Sequence, residues 1–236
     1  CFASGGASAQ QTDGKSVAPK TYKAYMVSDA HLDTQWNWDL THTIREYIPR
    51  ILFQNLWMLE RYPDYKFNFE GGIIYRWMKE YYPLHYARLQ KYIDEGRWHI
   101  SGASWNANDP NMPSAESFIR NILQGQELYK REFGVRSTDI FLPDCFGFVA
   151  SMPSVLAHAG IEGFSTQKLT WRSAAGIPFN VGFWQGPDGK GVVAALNATK
   201  YAGRIPERLD RDSAWIARID ANIARHGLHF DYRYYG

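Results

Sequence analysis

Two cysteines in 236 residues are too few for a disulfide framework. The small cross-linked scaffolds of secreted proteins are thereby excluded. Long hydrophobic runs are missing as well. No apolar stretch approaches the roughly 20 residues that a membrane-spanning helix needs, and the mean hydropathy is −0.42. Neither sign of charge is in excess, with 26 Lys and Arg against 24 Asp and Glu for a net charge of +2. The basic residues are scattered along the chain and form no stripe, which argues against nucleic acid as a partner. Apart from a Ser/Gly/Gln-rich stretch between Ala7 and Lys15, the sequence has no low-complexity tract and no internal repeat.

What the chain has in quantity is aromatic rings: 9 Trp, 15 Tyr and 13 Phe. Most of them read as core. A few lie among polar residues, as in Trp36-Asn37-Trp38-Asp39 and Trp105-Asn106-Ala107-Asn108-Asp109. A flat apolar face beside hydrogen-bonding side chains is what a sugar site requires, so composition leans toward carbohydrate. The leader carries a separate signal. Cys1 followed by a Ser/Gly-rich stretch resembles a bacterial lipoprotein after signal cleavage, with lipid on Cys1 and residues 1–20 as a flexible tether. That form is periplasmic or at the cell surface, and the lipid on Cys1 is its only membrane contact. The bland alternative is a disordered leader on a secreted chain.

Ordered structure is expected from about Lys20. An apolar run, Ala24 to Val27, reads as a first strand. Helical spacing follows from Thr43 to Tyr62, with Pro49 marking either a kink or a start. Tyr65 to Phe69 alternates as a strand. Ile73 to Tyr82 and Leu84 to Glu95 read as helices, stopped by Pro83 and capped by Gly96. Trp98 to Ile100 is a third strand. A helix from Ala115 to Phe133 has Ser114 as its cap and Gly134 past its end. Strands at Asp139 to Leu142 and Gly163 to Thr166 enclose a short helix, Pro153 to Ala159. Phe179 to Trp184 and Val192 to Leu196 form a hairpin about Gly186-Pro187-Asp188-Gly189. A last helix runs from Ser213 to His226. Strands alternating with helices predict an α/β fold, its mostly parallel sheet in a barrel-like or doubly wound arrangement with flanking helices.

Two segments carry the chemistry. Asp29-Ala30-His31-Leu32-Asp33 follows the first strand, and Leu142-Pro143-Asp144-Cys145-Phe146-Gly147 follows Ile140-Phe141. Residues just past the carboxyl ends of such strands face the crevice where α/β domains bind ligands. His31 and Asp33 are two apart, so an extended chain points both the same way. Asp144 supplies a third donor from another strand end. Imidazole and carboxylates suit zinc or another divalent cation, and a catalytic zinc site typically has three protein ligands. Each residue also has a bland reading. A lone His-x-Asp is a weak signal, Asp144 after Pro143 is a plausible helix cap, and Lys168 a solvated charge.

Taken together, the motifs are more specific. Ala30-His31-Leu32-Asp33-Thr34-Gln35-Trp36, Leu142-Pro143-Asp144-Cys145-Phe146-Gly147-Phe148 and Ser165-Thr166-Gln167-Lys168 stand in order along the chain. With the Trp98 to Trp105 region, the Ser114 to Gln126 helix and Met152-Pro153, they resemble the glycoside hydrolase family 38 α-mannosidases from about Tyr25 to Trp184. The resemblance implies a distorted, barrel-like glycoside hydrolase or deacetylase fold. It also implies a zinc-dependent retaining enzyme acting on α-linked mannose of glycans or oligosaccharides. His31 and Asp33 match the first two zinc ligands of the family, and Asp144 the aspartate that both touches zinc and acts as nucleophile. Trp36 and Phe146 match rings lining the mannose subsite. Lys168 stands where many members carry arginine. Tyr201 matches a sugar-contacting tyrosine only loosely.

A retaining glycosidase uses two carboxyl groups about 5 Å apart, one of them an ionised nucleophile. A cation beside Asp144 favours that state. The departures concern the rest of the set. His42, His85, His99, His158, His226 and His229 do not match the family's last zinc ligand, and Asp231 is a poor match for its acid/base. The expectation is therefore that residues 21–236 are the amino-terminal part of a catalytic domain, truncated at its C-terminus and inactive alone. Two further readings remain at this stage: a metal-dependent carbohydrate deacetylase, and a mannose-binding module without turnover.

Overall fold

The longest helix shows how closely local chemistry dictates the elements. Ser114 accepts a hydrogen bond from the Ser117 amide (3.2 Å), Glu116 sits in the first turn, and Lys130 and Arg131 occupy the last turn. Gly134 closes the helix at φ +72°, a left-handed position glycine adopts without strain. The resulting α6, Ala115–Phe133, complements its own dipole at both ends. The carboxy-terminal helix α8, Ser213–His226, is built alike: Asp212 caps the Trp215 amide at 2.7 Å and Gly227 ends it at φ +69°.

The structure is a computed structural model that describes residues 22–171, 174–200 and 204–234. Cys1, the 1–20 leader and Tyr201 lie outside those residues. Along the chain run β1 (Ser28–Ala30), α1 (Leu40–His42), a π-helical turn (Thr43–Tyr47), α2 (Ile48–Arg61), β2 (Phe67–Phe69), α3 (Gly72–Tyr81), α4 (Pro83–Tyr86), α5 (Leu89–Asp94), β3 (Trp98–Ile100) and α6. There follow β4 (Asp139–Phe141), α7 (Met152–His158), β5 (Gly163–Ser165), β6 (Val181–Gln185), β7 (Gly191–Ala195) and α8.

The strands form two sheets. The first has the order β1-β2-β3 and is wholly parallel, pairing Ser28 with Phe67 and Phe67 with Trp98. The second has the order β4-β5-β7-β6, parallel except for the antiparallel β6–β7 hairpin. One carboxylate joins them. Asp139, the first residue of β4, accepts from Ser101 Oγ (2.6 Å) and the Gly102 amide (3.3 Å), and its carbonyl accepts from the Ala103 amide (2.9 Å). The chain just past β3 thus lies against β4, and the strands run on in the order 1-2-3-4-5-7-6. Among the described residues the curved arrangement does not close into a barrel.

Each sheet has its own core. Ile48, Leu52, Leu56 and Leu59 of α2 pack with Tyr75 and Met78 of α3 against Phe67, Phe69 and Trp98. Ile140, Leu142, Met152, Leu156, Phe164 and Val192 form the second cluster. Helix α6 serves both, giving Leu128, Tyr129 and Phe133 to the first and Phe118 and Ile122 to the second.

Three expectations shift. The first strand begins at Ser28, and Tyr25, Met26 and Val27 ahead of it are exposed. Its partner β2 starts only at Phe67, so the apolar run upstream has no ladder to join. The helix expected over Leu84 to Glu95 breaks at Ala87-Arg88 into α4 and α5. Pro49 stands in the first turn of α2, directly after the π-turn.

Where α6 crosses the chain after β3, it does so at Gly125. A Cβ there would press into the Ala103 carbonyl oxygen and the Ser104 backbone, and come to 2.6 Å from the Trp105 nitrogen. Backbone cannot swing aside as a flexible side chain does, so Gly125→Ala is expected to destabilise the chain by about 2 kcal/mol, despite the better helix propensity of alanine. Urea unfolding followed by circular dichroism measures this; a neutral or stabilising substitution would show that the crossing is loosely packed.

Candidate functional site

His31 is the first residue past β1, and Asp144 lies three residues past β4. Both therefore stand at carboxyl ends of parallel strands, the place where an α/β sheet presents ligand-binding groups. Each strand is only three residues long, so the loops beyond them need anchors of their own. Thr43, fully buried in the π-turn, donates its hydroxyl to the Thr34 carbonyl (2.8 Å) and accepts the Trp38 indole N–H (2.8 Å). Asp39 caps the His42 amide at 2.8 Å. The loop running from Asp33 through Trp36 is thereby tied to α1 and the π-turn. On the second sheet, the Leu142 amide bonds the Ser165 carbonyl (3.0 Å) and so aims the chain that carries Asp144.

These anchors bring three donors together. His31, Asp33 and Asp144 each offer one ligand atom, and the three atoms lie within 4.8 Å of one another. His31 Nε2 is buried, forms no hydrogen bond, and stands 3.4 Å from Asp33 Oδ1. Its other ring nitrogen, Nδ1, is 3.1 Å from Glu70 Oε1. Lys168, mostly buried, forms an ion pair with Asp144. The lysine ammonium also lies over two rings, 4.9 Å from the centre of Phe146 and 3.6 Å from that of Trp171, distances at which cation–π attraction operates. Phe146 is 76% exposed and Trp36 71% exposed. Trp36 packs edge to face on Trp38 at 5.9 Å.

The electrostatics follow from this crowding. Burial pulls the His31 imidazolium down, but the carboxylates of Asp33 and Glu70 beside the ring outweigh it, and its pKa is pushed up to about 9. The His31 ring beside it holds the Asp33 carboxyl below its usual range, and the charge of Lys168 adds to this. Burial lifts the Glu70 carboxyl, opposed by His31. Burial also lowers the Lys168 ammonium, opposed by Asp33. The Cys145 thiol is pushed up to about 12, first by burial, and is no nucleophile at neutral pH.

The donor set fits a divalent cation. Three hard or borderline donors converge, the imidazole nitrogen facing the other two makes no hydrogen bond, and the opposite nitrogen is held by a carboxylate, as in carboxylate–histidine–metal arrangements. Two bland readings fall away. Helix α7 begins only at Met152, so Asp144 caps no helix, and Lys168 is not a solvated charge. Among the described residues the group contains no second imidazole. His99 faces Asp139, His158 faces Asp188, His85 lies on Phe53 and His226 on Phe179.

Residues 21–230 match the model of the glycosyl hydrolases family 38 N-terminal domain. The chain belongs to this family. Curated relatives agree. The chain is 37% identical to Alpha-mannosidase G of Dictyostelium discoideum over 171 residues, and 33% identical to human Alpha-mannosidase 2C1 over 180 residues. Those alignments cover 72% and 76% of this chain but only 16% and 17% of the relatives, so the chain spans about a sixth of their length. Among solved structures, an alpha-mannosidase from Enterococcus faecalis V583 superimposes with a TM-score of 0.67 over 89% of this chain and 24% of that one. At 20% identity the superposition speaks for the fold alone.

Three residues around this family 38 site were not evident from sequence: Glu70, Trp171 and Thr43. Glu70 had a usable signal, since it too is the first residue past a parallel strand, β2. Trp171 ends a 3₁₀ turn that starts at Lys168, and Thr43 lies in the π-turn. Neither local form has a sequence signature.

Asp231, doubted as an acid/base, has a structural task. Its carboxylate is fully buried and accepts from Arg218 Nε (2.6 Å) and Nη2 (3.1 Å) and from Asn222 Nδ2 (3.2 Å), locking the last segment onto α8. Asp231→Ala strands the Arg218 guanidinium, so a loss of about 3 kcal/mol is expected in urea unfolding. A variant as stable as the parent would show that the clamp is dispensable.

Proposed function

We propose that the protein is a zinc-dependent retaining α-mannosidase, hydrolysing α-linked mannose from glycans or oligosaccharides. One observation carries the reading. In a family 38 chain, an aspartate paired with a buried lysine stands within one metal-ligand group with His31 and Asp33. The curated relatives named above are α-mannosidases. His31, Asp33 and Asp144 would hold one Zn2+. When bound, the ion supplies Lewis-acid charge to sugar hydroxyls and to the developing transition state.

The chain's own residues do the rest. Asp144 attacks the anomeric carbon, forming a carbon–oxygen bond as the glycosidic bond breaks. The aglycone oxygen takes a proton from a second carboxyl about 5 Å away. Water then hydrolyses the mannosyl ester of Asp144 with retention of configuration. Lys168 keeps a positive charge against the ionised Asp144 between turnovers, favouring the nucleophilic carboxylate. Trp36 and Phe146 offer exposed ring faces for the apolar side of the sugar. Asp231 is committed to Arg218 and gives no proton. The 236 residues alone are therefore proposed to bind metal without turnover. The composition of the leader supports a lipid-anchored form carried on Cys1.

In the natural full-length protein, Asp144→Asn is expected to lower kcat on an aryl α-mannoside by on the order of 10⁴-fold. A fluorinated mannoside should label Asp144 in the parent, read by peptide mass spectrometry. An unchanged rate, or label on another residue, would defeat the assignment.

Metal affinity should depend on pH with a definite sign. His31 carries a proton below about pH 9 in the absence of metal, and that proton must leave before Nε2 can act as a ligand. Zinc affinity is thus expected to rise about tenfold per unit between pH 6 and pH 8. Calorimetric titration of the chain tests it; an affinity flat across that range would remove His31 from the ligand set.

A further inference from the structure

The buried acid behind His31 is more than a space-filling partner. Glu70 is 7% exposed and stands at the carboxyl end of β2, where a buried carboxylate is costly unless it serves a partner. The partner is His31 Nδ1 at 3.1 Å. What admits Glu70 to that position is a glycine thirty-two residues later. Gly102 has φ +62°, and a Cβ placed on it would come to 2.7 Å from Glu70 Oε2 and 2.8 Å from Glu70 Cβ. Gly102 is itself held from both sides. Its amide donates to Asp139 Oδ2 (3.3 Å) and its carbonyl accepts from the Tyr129 hydroxyl (3.2 Å). The same tyrosine oxygen accepts from the Gly71 amide at 3.1 Å, directly after Glu70. The fully buried Tyr129 therefore fixes the backbone on both sides of the Glu70 carboxylate.

We infer that Glu70 is a positioning residue for the metal-ligand group: it holds His31 so that Nδ1 donates backward and Nε2 faces Asp33 and Asp144, and the missing Cβ of Gly102 is what makes room for it. The inference rests on the proposed metal site and deepens it. An imidazole is a good ligand only when its free lone pair points at the ion, and a carboxylate on the far nitrogen fixes both tautomer and ring orientation. A merely structural His–Glu pair would hold β1 to β2 equally well with His31 turned over. The exposed hydrogen bonds and the surface groove between α6 and α7 carry no such constraint.

Two measurements on the 236-residue chain decide it. The first is zinc titration in the presence of a competing chelator, on the parent and on Glu70→Ala, Glu70→Gln and Gly102→Ala. Glu70→Ala and Gly102→Ala are expected to weaken zinc binding by about 10- to 100-fold. Glu70→Gln, whose amide oxygen still accepts from Nδ1, should fall between them and the parent. The second measurement needs no metal. A 15N-labelled chain should show a slowly exchanging, downfield Nδ1–H resonance, assigned to His31 by its loss in His31→Ala. That signal should persist in Glu70→Gln and vanish in Glu70→Ala.

A folded Glu70→Ala that binds zinc as the parent does overturns the inference, as does a parent lacking the Nδ1–H signal. If Glu70→Ala does not fold, Gly102→Ala decides by the same criteria: unchanged zinc affinity overturns the role, and weakened affinity with a folded circular dichroism spectrum supports it. A parent that binds no zinc yet shows the Nδ1–H signal would sink the metal reading and leave the orientation of His31 by Glu70 standing.

Discussion

The seam at Asp139 is the interaction on which the site depends. His31 and Asp33 belong to the first sheet, Asp144 and Lys168 to the second, and those sheets are cut from different stretches of chain with separate cores. The Asp139 side chain is only partly exposed, and burial alone would raise its carboxyl. The nearby His99 ring and hydrogen bonds from Ser101, Ser137 and Gly102 outweigh that and hold it below its ordinary range. The ionised carboxylate therefore has enough donors to stay charged inside the protein, and in doing so it ties the end of β3 to the start of β4. Together with α6, which packs into both cores, that tie sets the distance between the two halves of the site.

Around the seam, strand brevity is offset by side chains that grip backbone. Among the described residues, seven strands of three to five residues offer few ladder bonds. Thr43, Tyr129, Asn121 and Arg97 supply the rest. Asn121 donates to the Asn106 carbonyl and accepts from the Asn106 amide, and Arg97 donates to the Leu59 and Tyr62 carbonyls. Buried polar groups satisfied in this way specify one arrangement of loops instead of many. That rigidity suits a site whose donors must meet within a few ångströms.

Polarity of environment separates the roles of similar residues. Three aspartates illustrate it. Asp144 stands beside a lysine at the rim, Asp139 is a part-buried staple between the sheets, and Asp231 is a buried clamp on Arg218. The cationic partner differs as well. The ammonium of Lys168 sits over two aromatic faces, where the compact charge of lysine fits and a planar guanidinium would stack differently.

Much of this was legible in the sequence. The helices Ala115–Phe133 and Ser213–His226 carry their caps, dipole charges and terminal glycines as local signals, and both stand at the predicted bounds. His31, Asp33 and Asp144 were readable because a short apolar run followed by polar residues marks a strand end, and their order along the chain marks a family. Local pattern could not place the first strand, because pairing with Phe67 decides where β1 begins and hydrophobicity does not. It marked the strand end that carries Glu70 but not its role, which comes from a glycine on a neighbouring strand loop that leaves room for it. By itself the sequence determined the elements, the donor types and the family. Only the tertiary structure decided which donors meet, since the join at Asp139 and the carboxylate behind His31 act between segments far apart in the chain.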